Sequence, residues 1–237
     1  MMDEFDLEND PEPLLSPKEV LWKCYNKVKE LERNDGLVGS TTSLICQLKY
    51  DELSVVNLGD CGLMVIRDNK TLFRSEEQQH SFNFPFQLGT GSRDNPEQAQ
   101  EFTLKLKEND IVLIASDGIF DNVFDDDILD IVKKCFFEFG NNINYNNPNT
   151  AGSNIQLDPK LFEKNLNKKI KHIFNTIDPK IISDAILLNA RLIAEDNRAN
   201  SPFSSKAIQE GIYFQGGKMD DMTCIVGFVR LDEDSPD

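Results

Sequence analysis

The stretch IVLIASDGIFDN, Ile111 to Asn122, begins as five apolar residues and then breaks abruptly into a carboxylate and a glycine. A short apolar run bounded by turn formers is the pattern of a strand buried on both faces. Asp and Gly are ordinary turn residues, because Asp bonds its own backbone and Gly accepts positive φ. Taken alone, Asp117-Gly118 says only that the chain turns. The pattern recurs, however. VVNLGDCG places Asp60 just after a strand-like run, and GGKMDDMTCIV places Asp220 and Asp221 just before one. Carboxylates projecting from adjacent strand ends can converge into an oxygen-rich pocket, which suits Mg²⁺ or Mn²⁺. Without a cation their mutual repulsion would be costly.

Working outward, the neighbouring segments read as short strands. TTSLICQLKY and ELSVVNLGD flank a tight polar turn, and GLMVIRDNKTLF is a hairpin around Asp68-Asn69-Lys70. FTLKLKEND alternates, with Phe102, Leu104 and Leu106 on one face, and MTCIVGFVRL is a closing apolar strand. Hairpin succession implies antiparallel pairing. Helices surround these strands. In LLSPKEVLWKCYNKVKELERNDG, Ser16 and Glu19 form a capping box, Pro17 sits in the first turn, and Asn34-Asp35-Gly36 stops the helix. Its apolar stripe is Val20, Leu21, Cys24, Val28 and Leu31. DDDILDIVKKCFFEF puts Ile128, Ile131, Val132, Cys135, Phe136 and Phe139 on one face behind an acidic start. Two further helices, over 158–175 and 178–196, each open with Asp-Pro. Segregated strands and helices define an α+β class, antiparallel sheets with helices outside. The expected organisation is an acidic lead-in over 1–13, one domain over 14–231 with an asparagine-rich loop at 140–157, and an acidic tail over 232–237.

Bulk properties narrow the function classes. With 41 acidic against 25 basic residues, the net charge is −16. That argues against nucleic-acid or anionic-membrane binding, whose surfaces are basic, but not against a phosphorylated substrate, since bound cations invert the local field. Five scattered cysteines without a CxxC pair fit free thiols in a reducing compartment rather than a disulfide framework or zinc site. No HExxH or GxSxG occurs, and no stretch has the length and apolarity of a membrane span. DNVFDDDILD lacks the spacing and central glycine of a calcium loop, so its carboxylates read as a solvated helix start. Cys61 reads as a small residue filling a turn. His80, in EEQQHSFNFPFQLG, is open to two readings, a substrate contact or a loop histidine satisfied locally.

The ordered set GSTTSLIC, VVNLGDCGLMVIRDN, RSEEQQHSFNFPFQL, IVLIASDGIFDN and GGKMDDMTCIVGFV resembles the type 2C (PPM) metal-dependent Ser/Thr protein phosphatases, most nearly their mitochondrial branch. LLSPKEVL and NSPFSSKAIQEGIYFQGGKMDD match the same branch, so the likeness extends from Leu14 to Leu231. The resemblance implies two antiparallel sheets sandwiched between helix layers. It implies that Asp117 and Asp220 are ligands of a two-metal Mg²⁺ or Mn²⁺ centre, with Asp60 where a further, weaker metal is held. Gly59, Gly118 and Asp221 would support these ligands, Gly118 by allowing close approach, while Gln79 and His80 would face the substrate. The nucleophile would be metal-activated water rather than a side chain, acting on phosphoserine and phosphothreonine in proteins. A mitochondrial matrix location follows from the resemblance alone, since MMDEFDLENDPEP is acidic and has no arginine, unlike a transit peptide.

The family opens with strands carrying an acidic motif and an Asp-Gly-rich motif, and nothing before Leu14 matches either. The expectation is therefore an N-terminally truncated domain lacking the ligand that bridges the two ions, with hydrolysis impaired. Two other readings stay open: a phosphatase-like binding or regulatory module without catalysis, and a metal-binding structural domain.

Overall fold

The computed structural model describes residues 15–36, 38–145 and 173–231. The chain runs α1 (Pro17–Asp35), β1 (Ser40–Thr41), β2 (Ser43–Lys49), β3 (Glu52–Leu58), β4 (Gly62–Arg67), β5 (Lys70–Arg74), β6 (Gln79–Ser81), β7 (Phe84–Pro85), β8 (Leu88–Gly89), β9 (Gln100–Lys105), β10 (Ile111–Ala115), α2 (Asp117–Phe120), α3 (Asp125–Tyr145), α4 (Pro179–Glu195), α5 (Pro202–Gln209) and β11 (Cys224–Phe228). Two sheets dominate, one ordered β11-β10-β4-β5 and the other β2-β3-β9; β1-β8 and β6-β7 form small ribbons. All these pairings are antiparallel.

Alternation along β4 makes the sandwich. Leu63 and Val65 join Leu53, Val55 and Leu106 between the sheets. Met64 and Ile66 point the other way, to a core shared with Leu113 of β10 and with Ile128, Val132, Ile182 and Ile186 of α3 and α4. On the far side, Leu21 of α1 packs on Val56 and Leu58 of β3. The layers are thus helix, sheet, sheet, helix, the architecture that the motif order implies. The β4–β5 hairpin turns on Asp68 and Asn69, both at positive φ, 51° and 58°; the short polar side chains of Asn and Asp tolerate that region best after Gly.

Local chemistry explains the helix ends. Ser16 Oγ accepts from the Glu19 amide (3.3 Å), and Glu19 accepts from the Ser16 amide (2.7 Å). Gly36 closes α1 in the left-handed region at φ 64°. The buried face of α1 differs from the expected stripe. Pro17, Leu21 and Tyr25 face the sheet, whereas Cys24 and Val28 are exposed. An i, i+4 row containing an aromatic ring buries more apolar area than Cys24 and Val28 do, so the helix is rotated by about one residue. At the other end of the domain, α3 continues through Tyr145, six residues into the expected asparagine-rich loop. Once a helix is anchored by its apolar face, each added residue gains a backbone bond, and Gly140 with its asparagines costs less than stopping. The rest of that loop, and the helix expected over 158–175 except its last three residues, lie outside the described residues.

Asp110 ties the end of β10 to both flanking strands. It is fully buried and accepts from Arg67 Nε (2.7 Å), Arg67 Nη2 (2.6 Å) and the Lys107 amide (2.7 Å), while its carbonyl accepts from the Val229 amide. Removing one partner of a buried ion pair leaves the other charge uncompensated. Because Arg67 keeps some contact with water, Asp110→Ala is expected to cost about 2–3 kcal/mol, read as a lowered urea midpoint with an unchanged denaturant slope.

Candidate metal centre

Asp117 leaves the end of β10 as the first residue of α2, and Asp121, one turn later, lies on the same side. Opposite them runs the 216–223 segment that enters β11. Asn122, fully buried, joins the two: its Nδ2 donates to the carbonyls of Gly118 (2.8 Å) and Lys218 (2.9 Å), and its Oδ1 accepts from the Lys218 amide (2.9 Å). Ser116 adds a further link, its Oγ donating to the Asp221 carbonyl and accepting from the Thr223 amide, each at 3.0 Å. Gly118 is required at this crossing, since a Cβ there would lie 2.4 Å from the Asp221 carbonyl oxygen.

The crossing brings carboxylates from distant parts of the chain to one point. Lys218 Nζ donates to Asp117 Oδ2 (2.8 Å) and Asp121 Oδ2 (2.8 Å), and pairs with Asp220 Oδ2 (2.9 Å). Asp60 stands beside them on the turn after β3, presented by Gly59 at φ 107°, where a Cβ would meet Thr42 Cγ2 at 2.4 Å. Burial, reinforced by the charge on Asp117, pushes the Asp60 carboxyl up to about 6. For Asp220 burial acts upward, but the Lys218 ammonium and the Asp221 amide hold it below the ordinary carboxylate range. Burial likewise opposes the charge on Lys218, and its three carboxylate partners more than offset it, keeping the ammonium charged.

An all-oxygen donor set of this kind suits a hard divalent cation. Of the expected ligands, Asp117 and Asp220 are therefore gathered around an ammonium, with Asp60 close enough to feel the charges of Asp117 and Lys218. Among the described residues no group of three or more Asp, Glu, His and Cys side chains stands at metal-binding spacing. Ammonium hydrogen bonds hold oxygens nearly 3 Å from their centre, whereas Mg²⁺ draws them to about 2.1 Å. Asp221 contributes through its backbone, and its side chain is exposed. Asp121 and Lys218 were not singled out from sequence, although the four-residue step from Asp117 and the position two before Asp220 were visible signals.

Gln79 and His80 lie on β6 in another setting. Gln79 bonds Glu77 and the Asn83 amide. His80 Nε2 is 3.0 Å from both oxygens of Asp94 and its ring stacks on Phe86, centroids 3.9 Å apart. His80 and Asp94 line a cavity of about 590 Å³ with Ser40 and Arg93, and Gln79 does not.

No protein-family model matches the chain. It is 30% identical over 229 residues to probable protein phosphatase 2C 55 of Arabidopsis thaliana, covering 96% of this chain and 40% of that protein. It is 30% identical over 224 residues to the protein phosphatase PTC7 homolog of Danio rerio, covering 90% of this chain and 63% of that one. The solved structure of the photosystem II phosphatase PBCP superposes with a TM-score of 0.60 at 24% identity, over 90% of this chain and 78% of that chain. The chain is thus similar, over 90% or more of its length, to protein phosphatases, among them one of type 2C. It spans 40% to 63% of the length of those two relatives.

Two substitutions test the geometry. Gly118→Ala is expected to destabilise the fold by about 1–3 kcal/mol, the usual cost of overpacking, measured by thermal unfolding. Asp94→Asn tests the second cluster. Burial alone would raise Asp94, but His80 and the Gln87 amide hold it below the ordinary carboxylate value. A carboxyl depressed by folding stabilises the native state above its unfolded pKa, and that contribution is lost as pH falls through the folded one. Asp94→Asn should thus cost about 1.5–3 kcal/mol at neutral pH. The two proteins should converge in stability on the acid side of the ordinary carboxylate range.

Proposed function

We propose that this chain is the core of a Mg²⁺- or Mn²⁺-dependent phosphatase acting on phosphoserine and phosphothreonine in proteins. The observation that carries the reading is the convergence of Asp117, Asp121 and Asp220, from segments about a hundred residues apart, on one cation position with Asp60 adjacent. Asp117, Asp220 and Asp60 would hold the cation, which when bound supplies Lewis-acid activation of water and neutralises phosphoryl charge. The protein's own part is positional. The Asn122 and Ser116 links hold the two carboxylate-bearing segments in register, and the Gly118 crossing brings the Asp220 turn against α2. Phosphorylated proteins are the partners this implies, and a mitochondrial matrix location belongs to the same reading through resemblance.

A second reading, a phosphatase-like module that binds without turnover, is favoured by the ammonium seated on three of the carboxylates. The two are separated by phosphate release from a phosphothreonine peptide, with and without Mn²⁺. Turnover that depends on Mn²⁺ and falls by at least about 100-fold in Asp117→Asn and in Asp220→Asn supports catalysis; the scale is that of losing a metal or an electrostatic catalytic group. Mn²⁺ binding by calorimetry without turnover would establish the binding module instead. Unchanged Mn²⁺ affinity in both variants would remove the metal-centre reading.

A further inference from the structure

Lys218 is the one residue of the centre whose charge opposes the expected ligand. Its position is built rather than incidental. Its backbone N–H and carbonyl are both bonded by the buried Asn122 side chain, and the preceding residues are fixed by backbone contact, with Gly217 N–H donating to the Asp196 carbonyl. Its side chain is only 15% exposed, passes 5.0 Å from the Phe203 ring centroid, and ends within 2.9 Å of three carboxylate oxygens from two chain segments. Those are the oxygens a divalent cation would use.

We propose that Lys218 is a tethered counter-cation of the metal centre, holding Asp117, Asp121 and Asp220 together in the metal-free protein and displaced when a divalent cation enters. This rests on the metal-centre reading and adds to it a determinant of metal affinity within the chain. The electrostatics require such a device. Four clustered carboxylates in a partly buried pocket would repel one another, at a cost that a single close ammonium offsets. A metal ion at coordination distance from the same oxygens cannot share their centre with an ammonium, because two cations a few ångströms apart repel strongly at the effective dielectric of such a site. Lysine suits the exchange: its charge is compact and sits on a flexible four-carbon stem, so it can leave for solvent without moving the Asn122-bound backbone. Metal affinity is then the difference between binding the ion and releasing the ammonium. The neighbouring Lys206 does not duplicate the role, since it pairs with Glu77 at 2.6 Å and stands 3.9 Å from Asp121.

The test compares the unaltered chain with Lys218→Met, which keeps the stem and removes the charge. Free Mn²⁺ is titrated by electron paramagnetic resonance, and melting is followed in chelator and in Mn²⁺. The expected results are a lower melting temperature in chelator, Mn²⁺ binding tighter by about tenfold or more, and a larger Mn²⁺-induced rise in melting temperature than in the unaltered chain. If Lys218→Met is unfolded in chelator, Mn²⁺ should refold it where NaCl of equal ionic strength does not; failure to refold would overturn the proposal. Equal or weaker Mn²⁺ affinity in a folded Lys218→Met would overturn it while leaving the metal centre standing. Absence of Mn²⁺ binding to the unaltered chain would overturn both.

Discussion

The side chain of Asn122 is the constraint on which the centre depends. One buried amide makes three hydrogen bonds, to Gly118 on its own turn and to both backbone groups of Lys218 across the seam. A buried polar group left unpaired costs its full desolvation, so the seam is held by necessity rather than by accumulated weak contacts. Asp117 and Asp121 lie on one side of it, Lys218 and Asp220 on the other. Without it, the sandwich could keep its layers while the carboxylates lost their common focus.

Under the proposed function, that focus would also account for how so acidic a chain acts on phosphate esters. The net charge of −16 is not spread evenly in its effect. Around Lys218 the carboxylates outnumber the ammonium, and the charge on Asp117 adds to the burial that raises the Asp60 carboxyl. A site negative enough to attract a divalent cation becomes, once loaded, locally positive toward a phosphoryl group.

Much of the architecture was legible because local chemistry and global packing agree. Ser16, Glu19 and Gly36 bound a helix, Asp68-Asn69 turns a hairpin, and alternation in β9 and apolar continuity in β10 survive as observed. The face of α1 was misjudged because Tyr25 counts as polar by its tip and apolar by its ring, and only packing against β3 decides between them. The extent of α3 was misjudged because asparagines favour turns, a local preference that tertiary anchoring overrides. Within the centre, Asp60, Asp117 and Asp220 announced themselves through glycine-marked turns. Asp121 carried no such mark, and Lys218, although it follows Gly216-Gly217, is no carboxylate. A lysine among aspartates reads as a solvated charge run until the fold shows that its neighbours come from a segment far away in sequence.

That separation has a kinetic consequence. Lys218 meets Asp117 across 101 intervening steps of chain and Asp121 across 97. Closing so long a loop costs entropy that local contacts cannot repay, so such pairings form late. In a nascent or partly unfolded chain, α2 and the segment leading to β11 are strangers, and their carboxylates lie in two separate groups. The cluster therefore comes into being only with the completed sandwich, and any metal affinity it has would be a property of the finished fold, coupled to its global stability rather than to any one turn.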